Sequence, residues 1–217
     1  MKLKEKEYFD VTDLKNKDFL DDYVKIAHIY EAGIKEIKTK LEILDSEFKI
    51  IYDHNPIHHI ESRLKKPKSI IHKAMNKGLD LNFDSITNNI YDIAGIRVIC
   101  NYEDDVYRVA ELLMNQSDIE TIRIKDYIKN PKDNGYRSLH LVLQIPIFLS
   151  SHVKPICVEV QLRTIAMDFW ASLEHKLRYK TNNLIDDDVK NELYECALEI
   201  ASLDSKMQKI HNKVNLK

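Results

Sequence analysis

The chain has 217 residues and a mass of 25.5 kDa, with 33 Lys and Arg against 35 Asp and Glu, a length that suits one domain with helical extensions better than two independent domains. An apolar fraction of 44% supplies a core and excludes wholesale disorder, while a net charge of −2 excludes a globally basic nucleic-acid coat and leaves local patches open. Cys100, Cys157 and Cys196 form no Cys-x-x-Cys pair, no apolar run approaches the ~20 residues of a membrane span, and the start MKLKEKEYFD is too charged for a signal peptide; a soluble, cytoplasmic protein is expected.

The first element is a long helix. Apolar residues at Phe19, Tyr23, Ile26, Tyr30, Ile34, Ile37, Leu41, Leu44, Phe48 and Ile51 follow spacings of mostly four and three, one continuous helical stripe. His54-Asn55-Pro56 ends it, because proline disfavours helix at the residue before it. Pro67 then suits the start of a second helix. Gly95–Cys100 is a short β-branched run read as a strand, and 104–114 is a helix through Val106, Val109, Ala110 and Leu113. Residues 119–128 alternate as a half-buried strand would; 139–145 and 156–162 are two more strands, and 165–180 return to helix with Trp170, Leu173 and Leu177. The last helix carries Val189, Leu193, Cys196, Ile200, Leu203, Met207, Ile210 and Val214 in strict four-three alternation, the seam of a coiled coil, behind Asp186-Asp187-Asp188 at its start. Both terminal helices either pack on their own subunit or help to build a homo-oligomer. The expected fold is α+β: a mixed sheet of four or five strands flanked by helices, in three segments of one structural unit, residues 1–55, 56–180 and 181–217.

Three groups of polar residues stand out. Residues 61–77 hold Arg63, Lys65, Lys66, Lys68, Lys73 and Lys77 against Glu61 alone. Ser69 and Lys73 lie one turn apart on the helix that Pro67 starts, with Arg63 and Lys65 just before it. That is either a phosphate cradle at a helix N-terminus or a solvated basic face. The stretch 123–140 places Tyr136 after the turn Asn130–Gly135, among Lys129, Lys132, Arg137 and His140; such a Tyr either stacks on a nucleobase or covers the edge of a core. The acids come third. Asp92 precedes the strand that carries Arg97, and Glu159 lies inside an apolar strand with Gln161 on the same face and Arg163 beyond. A buried carboxylate needs a partner or a task. Two such groups beside basic sites describe metal-assisted phosphoryl transfer, with Mg²⁺ taking one or two carboxylates plus phosphate oxygens, unless salt bridges account for them.

The blocks RLKKPKSIIHKA, YDIAGIRVIC, YIKNPKDNGYRSLH, VEVQLRT and FWASLEHKLRYK resemble, in order and spacing, the synthetase domain of the RelA/SpoT homologue superfamily, and the whole chain is similar to RelQ-type small alarmone synthetases. The resemblance implies a nucleotidyltransferase-like fold and transfer of pyrophosphate from ATP to the ribose 3′-hydroxyl of GDP or GTP, releasing AMP, in the stringent response. By the same resemblance Arg63, Lys65, Ser69 and Lys73 fall on ATP-binding positions and Arg97 on an adenine-stacking position. Asp92 falls on a Mg²⁺ ligand, and Glu159 on an acid that assists the metal and serves as general base. Tyr136 matches a guanine-stacking aromatic, with Lys132, Asn134, His140 and Gln161 in the acceptor site. A homotetramer is implied, and single-stranded RNA is an additional partner to consider. The rival readings are a nucleotidyltransferase of other specificity and a non-catalytic nucleotide or RNA binder on the same scaffold. The separation of Asp92 and Glu159 on different strands speaks against the first, and retention of both acids with Tyr136 against the second.

Three departures from the family pattern stand in this sequence. Lys125, with Arg123 nearby, falls where many relatives carry a second arginine over adenine, and lysine offers no planar stacking surface. The residues ahead of the synthetase blocks are too few to house the family's hydrolase domain, so none is expected here, and His54, His58 and His59 lack an acidic partner set at metal spacing. Glu42, Asp45, His59 and Glu61 occupy positions at which RelQ-type tetramers bind alarmone in a central cleft. Their acids repel a pentaphosphate, so pppGpp added to a turnover assay is expected to activate weakly or not at all; several-fold activation would refute this.

Overall fold

A computed structural model describes residues 17–180 and 186–215; the charged amino-terminal stretch lies outside them. Six helices and five strands follow in the order α1 (Lys17–Ile51), β1 (Ile57–Leu64), α2 (Pro67–Asn76), α3 (Phe83–Asn89), β2 (Ala94–Cys100), α4 (Glu103–Met114), β3 (Glu120–Asp126), β4 (Leu139–Phe148), β5 (Val153–Thr164), α5 (Ile165–Lys180) and α6 (Asp187–Asn215). One mixed sheet has the order β1-β2-β5-β4-β3, with β2 and β5 parallel and the other pairs antiparallel. This is the expected α+β architecture with long first and last helices.

Strand alternation divides the sheet into two chemically different faces. Ile96, Val98, Val158, Val160, Leu162, Leu139, Leu141 and Leu143 point to one side and are buried; α1 and α4 pack over that side. From α1 the core receives Ile26, Tyr30, Ile37, Leu41 and Phe48, the predicted stripe, while Ile51 at its end is exposed. Helix and sheet approach closely at Gly33, where a Cβ would lie 2.3 Å from Ile156 Cδ1. The opposite face carries the polar residues of the strands. In register, one row reads Arg63, Gly95, Glu159, Val142, Arg123 across the five strands and the next reads Glu61, Arg97, Gln161, His140, Lys125.

Helix ends follow local chemistry. Pro67 opens α2, Asn82 accepts a hydrogen bond from the Ser85 amide at the start of α3, and Asp105 reaches back to the Tyr102 amide in front of α4. Strand β5 runs into α5 without a loop, and the Thr164 hydroxyl accepts from the Met167 amide (3.1 Å) while donating to Asp204 of α6 (2.5 Å).

Four expectations are corrected. Residues 57–64, read only as chain leading to a helix, form the edge strand β1; their polar side chains face the open side, so no apolar alternation marked them. Helix α3 is short and capped, below the length at which periodicity is visible. Strand β3 is not half-buried: Ile122 and Ile124 are both exposed. The alternation of α6 is only partly used within the subunit. Ala197 is buried, whereas Leu203, Met207, Ile210 and Val214 are exposed.

Helix α6 also touches the turn before Tyr136. Gly135 has φ +83°, and a Cβ there would lie 2.5 Å from Ala197 Cβ of α6. Gly135→Ala therefore combines left-handed backbone strain with a contact that no rotamer relieves. The variant is expected to lose about 2–3 kcal/mol of stability, read from the midpoint of urea unfolding.

Candidate active site

The open face of the sheet, closed at one side by α2 and at the other by α5, holds three adjoining cavities. The innermost is lined by Glu61, Arg63, Asp92, Gly95, Arg97, Glu159 and Gln161. A cleft of about 830 Å³ continues from it past Lys132, Asn134, Tyr136 and His140 to Glu174, His175 and Arg178 of α5. A third cavity of about 360 Å³ is bounded by Lys73, Lys77, Tyr91, Arg123, Lys125 and Tyr127 and shares Asp92 and Glu159 with the first.

Asp92 sits two residues before β2. Its Oδ2 accepts from Lys65 Nζ at 2.7 Å and from Lys73 Nζ at 2.6 Å, whereas Oδ1 is buried and has no hydrogen-bond partner among the described residues. Burial alone would raise the Asp92 carboxyl; the hydrogen bonds and charges of the two lysines outweigh it and hold the pKa below the ordinary carboxylate value. Glu159 is balanced in the same way. Burial and the Asp92 charge push it up, the His140 and Gln161 side chains pull it down, and the net direction is down. Gln161 Nε2 donates to Glu159 Oε2 at 2.8 Å, and His140 Nδ1 lies 3.5 Å from Oε1. Both acids are thus ionised at neutral pH.

A chain of polar contacts orients the aromatic beside them. Arg163, 5% exposed, donates from Nη2 to the Tyr136 hydroxyl (2.5 Å) and from Nη1 to Asp168 (3.0 Å). A hydroxyl that accepts from Arg163 turns its own proton to His140 Nε2, 2.8 Å away, which leaves the His140 Nδ1 proton facing Glu159. Lys132 Nζ lies 4.6 Å from the centroid of the Tyr136 ring. The turn before the ring closes on itself, through Gly135 N to Lys132 O (2.7 Å) and Tyr136 N to Asn134 Oδ1 (3.2 Å).

The structure therefore brings together Arg63, Lys65, Lys73, Asp92, Arg97, Lys125, Lys132, Asn134, Tyr136, His140, Glu159 and Gln161 around one connected set of cavities or in direct contact with its walls. Ser69 does not line these cavities; it is exposed on the first turn of α2. Lys125 does not face Arg97 across a shared gap, because three strand spacings of ~4.8 Å separate β2 from β3. Arg63 is the cation next to Arg97: it stands on the neighbouring strand opposite Gly95, whose missing side chain leaves the space between them open. Glu61 belongs to this wall as well, 3.4 Å from Arg97 Nη1, whereas Glu42 and Asp45 ride on α1 and pair with Lys38 and Lys49. His54 is 2.8 Å from Asp105 and packs on His211, so it is engaged between α1, α4 and α6. Among the described residues no group of three or more His, Cys, Asp or Glu is placed to hold a metal ion by itself.

Sequence reading missed the α5 wall. Asp168, Glu174 and Arg178 were invisible as site residues because they are spaced as an ordinary charged helix face. Two signals were available: the block FWASLEHKLRYK, which carries Glu174 and Arg178, and the absence of any turn residue between Thr164 and Ile165, which ties α5 to the strand of Glu159.

The region found in RelA / SpoT proteins matches residues 62–184, which start within β1 and include every element from α2 to α5; the chain belongs to this family. Within it the similarity extends to small alarmone synthetases over nearly the full length. The chain is 41% identical to the GTP pyrophosphokinase YwaC of Bacillus subtilis over 92% of its own length and 95% of that protein. It superposes with a TM-score of 0.84 on the small alarmone synthetase 1 of B. subtilis bound to its product pppGpp, at 35% identity, covering 90% of this chain and 99% of that one. A structure of the same synthetase bound to AMPCPP gives a TM-score of 0.78 at 32% identity, covering 91% and 100%.

The Lys65–Asp92–Lys73 cluster makes a pH prediction. Asp92 has a depressed folded pKa, so its contribution to stability is complete above the unfolded carboxylate value of ~3.9 and vanishes as pH falls through the lower folded value. Lys65→Met removes one of the two cations and leaves the desolvation in place. The Asp92 carboxyl should then titrate at higher pH than in the parent protein, followed by its ¹³C NMR shift.

Proposed function

We propose that this chain is a GTP pyrophosphokinase that transfers the pyrophosphoryl group of ATP to the ribose 3′-hydroxyl of GDP or GTP, forming ppGpp or pppGpp and releasing AMP, with Mg²⁺ as cofactor. The observation that carries the reading is the placement of Asp92 and Glu159 at the junction of the cavities, with cations on one side and Tyr136 on the other. Family membership, the activity named for YwaC, and the pppGpp and AMPCPP held by small alarmone synthetase 1 support it.

In this reading Arg63 and Arg97 bracket the adenine, since Gly95 leaves a slot between them. Lys65 and Lys73, already gathered at Asp92, receive the polyphosphate. The acceptor base stacks on Tyr136, worth ~1–3 kcal/mol in related systems, with Lys132, Asn134, His140 and Gln161 around it and the exposed Lys132 turning from the ring towards phosphate. Glu159, ionised and oriented by His140 and Gln161, accepts the proton of the 3′-hydroxyl as its oxygen attacks the β-phosphorus. The bond from that phosphorus to the α–β bridging oxygen breaks, and AMP leaves with the bridging oxygen. Little covalent chemistry is asked of the protein; position and charge supply the rate.

The two carboxylates fit magnesium. Asp92 Oδ1 is a buried acceptor without a donor, Glu159 lines the same cavity, and a set of two acids suits an ion that takes its remaining oxygens from phosphates and water. Bound there, the ion would neutralise charge developing on the phosphates.

The apolar outer face of α6 (Leu203, Met207, Ile210, Val214), together with Ile165, Phe169 and Leu173 of α5, is the surface we assign to self-association into a homo-oligomer, a tetramer in this reading.

Asp92→Asn and Glu159→Gln should each reduce AMP and alarmone formation from ATP, Mg²⁺ and GDP by at least a hundredfold, while circular dichroism and melting stay close to the parent. Chromatography of the nucleotides is the measurement. Near-parental turnover in either variant, or release of free pyrophosphate in place of AMP, would count against the reading.

A further inference from the structure

The arginine on the adenine side and the arginine behind Tyr136 meet on one carboxylate that the mechanism above does not use. Asp168, in the first turn of α5, lines none of the three cavities. Its Oδ1 lies 3.0 Å from Arg163 Nη1 and 3.4 Å from Arg97 Nη1, so a single oxygen serves two cations. Arg163 is well tied elsewhere: Nη2 donates to the Tyr136 hydroxyl and to Gln161 Oε1 (3.1 Å), and Nε to Ser138 Oγ (3.4 Å). Arg97 is not. Among the described residues its guanidinium meets Glu61 and Asp168 alone, each at 3.4 Å, whereas a strong charge-assisted hydrogen bond closes to ~2.9 Å. Its Nε is buried without a partner. The side chains of Asp168 and Arg97 are 25% and 28% exposed, so water competes at the shared oxygen.

A shared counter-charge couples the groups it serves. We propose that Asp168 is the positioning residue through which the donor and acceptor pockets sense each other's occupancy: a base laid on Arg97 tightens the binding of the second nucleotide at Tyr136. A base in the slot beside Gly95 covers Arg97 and the open part of Asp168. Excluding water there strengthens both ion pairs of Oδ1. The firmer Arg163 holds the Tyr136 hydroxyl and with it the plane of the ring, so the acceptor meets a platform already ordered. By linkage the effect is mutual and of one size in both directions. The proposal rests on the reading that puts adenine at Arg97 and the acceptor base at Tyr136, and adds how the two pockets communicate. The competing account makes Asp168 only a counter-charge for the buried Arg163.

Calorimetry on the full chain without Mg²⁺ separates the two. The dissociation constant of GDP is measured alone, with saturating AMPCPP, and with saturating AMP, which lacks the β- and γ-phosphates that could touch the acceptor directly. In the parent both adenine nucleotides should tighten GDP by about fivefold or more, and GDP should tighten each of them by the same factor. Asp168→Asn keeps the shape and removes the charge. The factor should then fall below about twofold, while GDP alone binds within about threefold of the parent. Glu61→Gln loosens Arg97 on its other side and leaves the Arg163 pair in place, so it should weaken AMPCPP yet keep the parental factor. Should Asp168→Asn not fold, the parent still decides, because AMP alone must shift the side-chain ¹⁵N signals of Arg163. A parental factor of one, an Asp168→Asn factor equal to the parental one, a Glu61→Gln variant that loses the factor, or Arg163 signals indifferent to AMP overturns the inference. A parent that forms alarmone without coupling sinks the inference and spares the proposed reaction. Coupling that depends on Asp168, with no product from ATP, Mg²⁺ and GDP, does the reverse, and a chain that binds neither nucleotide sinks both.

Discussion

Two carboxylates share one small cavity, and their repulsion is the problem around which the site is arranged. Asp92 raises the pKa of Glu159 by its charge, and burial works against the ionised form of both. The fold answers with position rather than with bulk charge, since the chain as a whole is slightly acidic. Lys65 arrives just after β1 and Lys73 one helical stretch later, and both end on one oxygen of Asp92. His140 and Gln161, from two neighbouring strands, hold Glu159. Each acid is stabilised by groups from different parts of the sequence, so the electrostatics close only when β1, β2, β4 and β5 are all in register. Ionised acids at neutral pH are a property of the assembled sheet and not of any one segment.

The parallel pairing of β2 with β5 sets that register. It places Gly95 opposite Glu159 and Arg97 opposite Gln161, and the antiparallel neighbours extend both rows to Arg63 and Glu61 on one side and to Val142 and His140 on the other. Because side chains alternate, the same register that stacks Ile96, Val160 and Leu141 in the core presents the charged rows to solvent. A slip by one residue would exchange the two faces. The core therefore enforces the geometry of the polar surface.

Most of the helices and the three central strands were legible from periodicity, because they bury one face against the α1–α4 layer and leave an apolar stripe that a sequence displays. Strand β1 was not, since its outward residues are His, Glu and Arg and its inward ones are few. Nor was the exposure of β3, because alternation records which residues are apolar but not whether anything covers them. Among site residues, those in compact blocks were visible: Arg63 to Lys73, Asp92 to Arg97, Lys132 to His140, and Glu159 with Gln161. What escaped was their neighbourhood. Arg97 has Arg63 beside it and Lys125 three strands away, which follows from a strand order that no local pattern encodes. Arg163, noticed only as a charge beyond the strand, turns out to align Tyr136 with His140.

The uninterrupted passage from β5 into α5 has a mechanical consequence. Thr164 is at once the last strand residue, the cap of the helix, and a donor to Asp204 of α6. The strand bearing Glu159 and the helix bearing Asp168 and Glu174 thus behave as one rigid lever, with no joint between them about which a wall could swing. The turn that carries Asn134 and Tyr136 is seated on α6 through Gly135 and tied to α5 through Asn134 and Glu174, so this wall of the cleft is fastened to the same strand-and-helix unit.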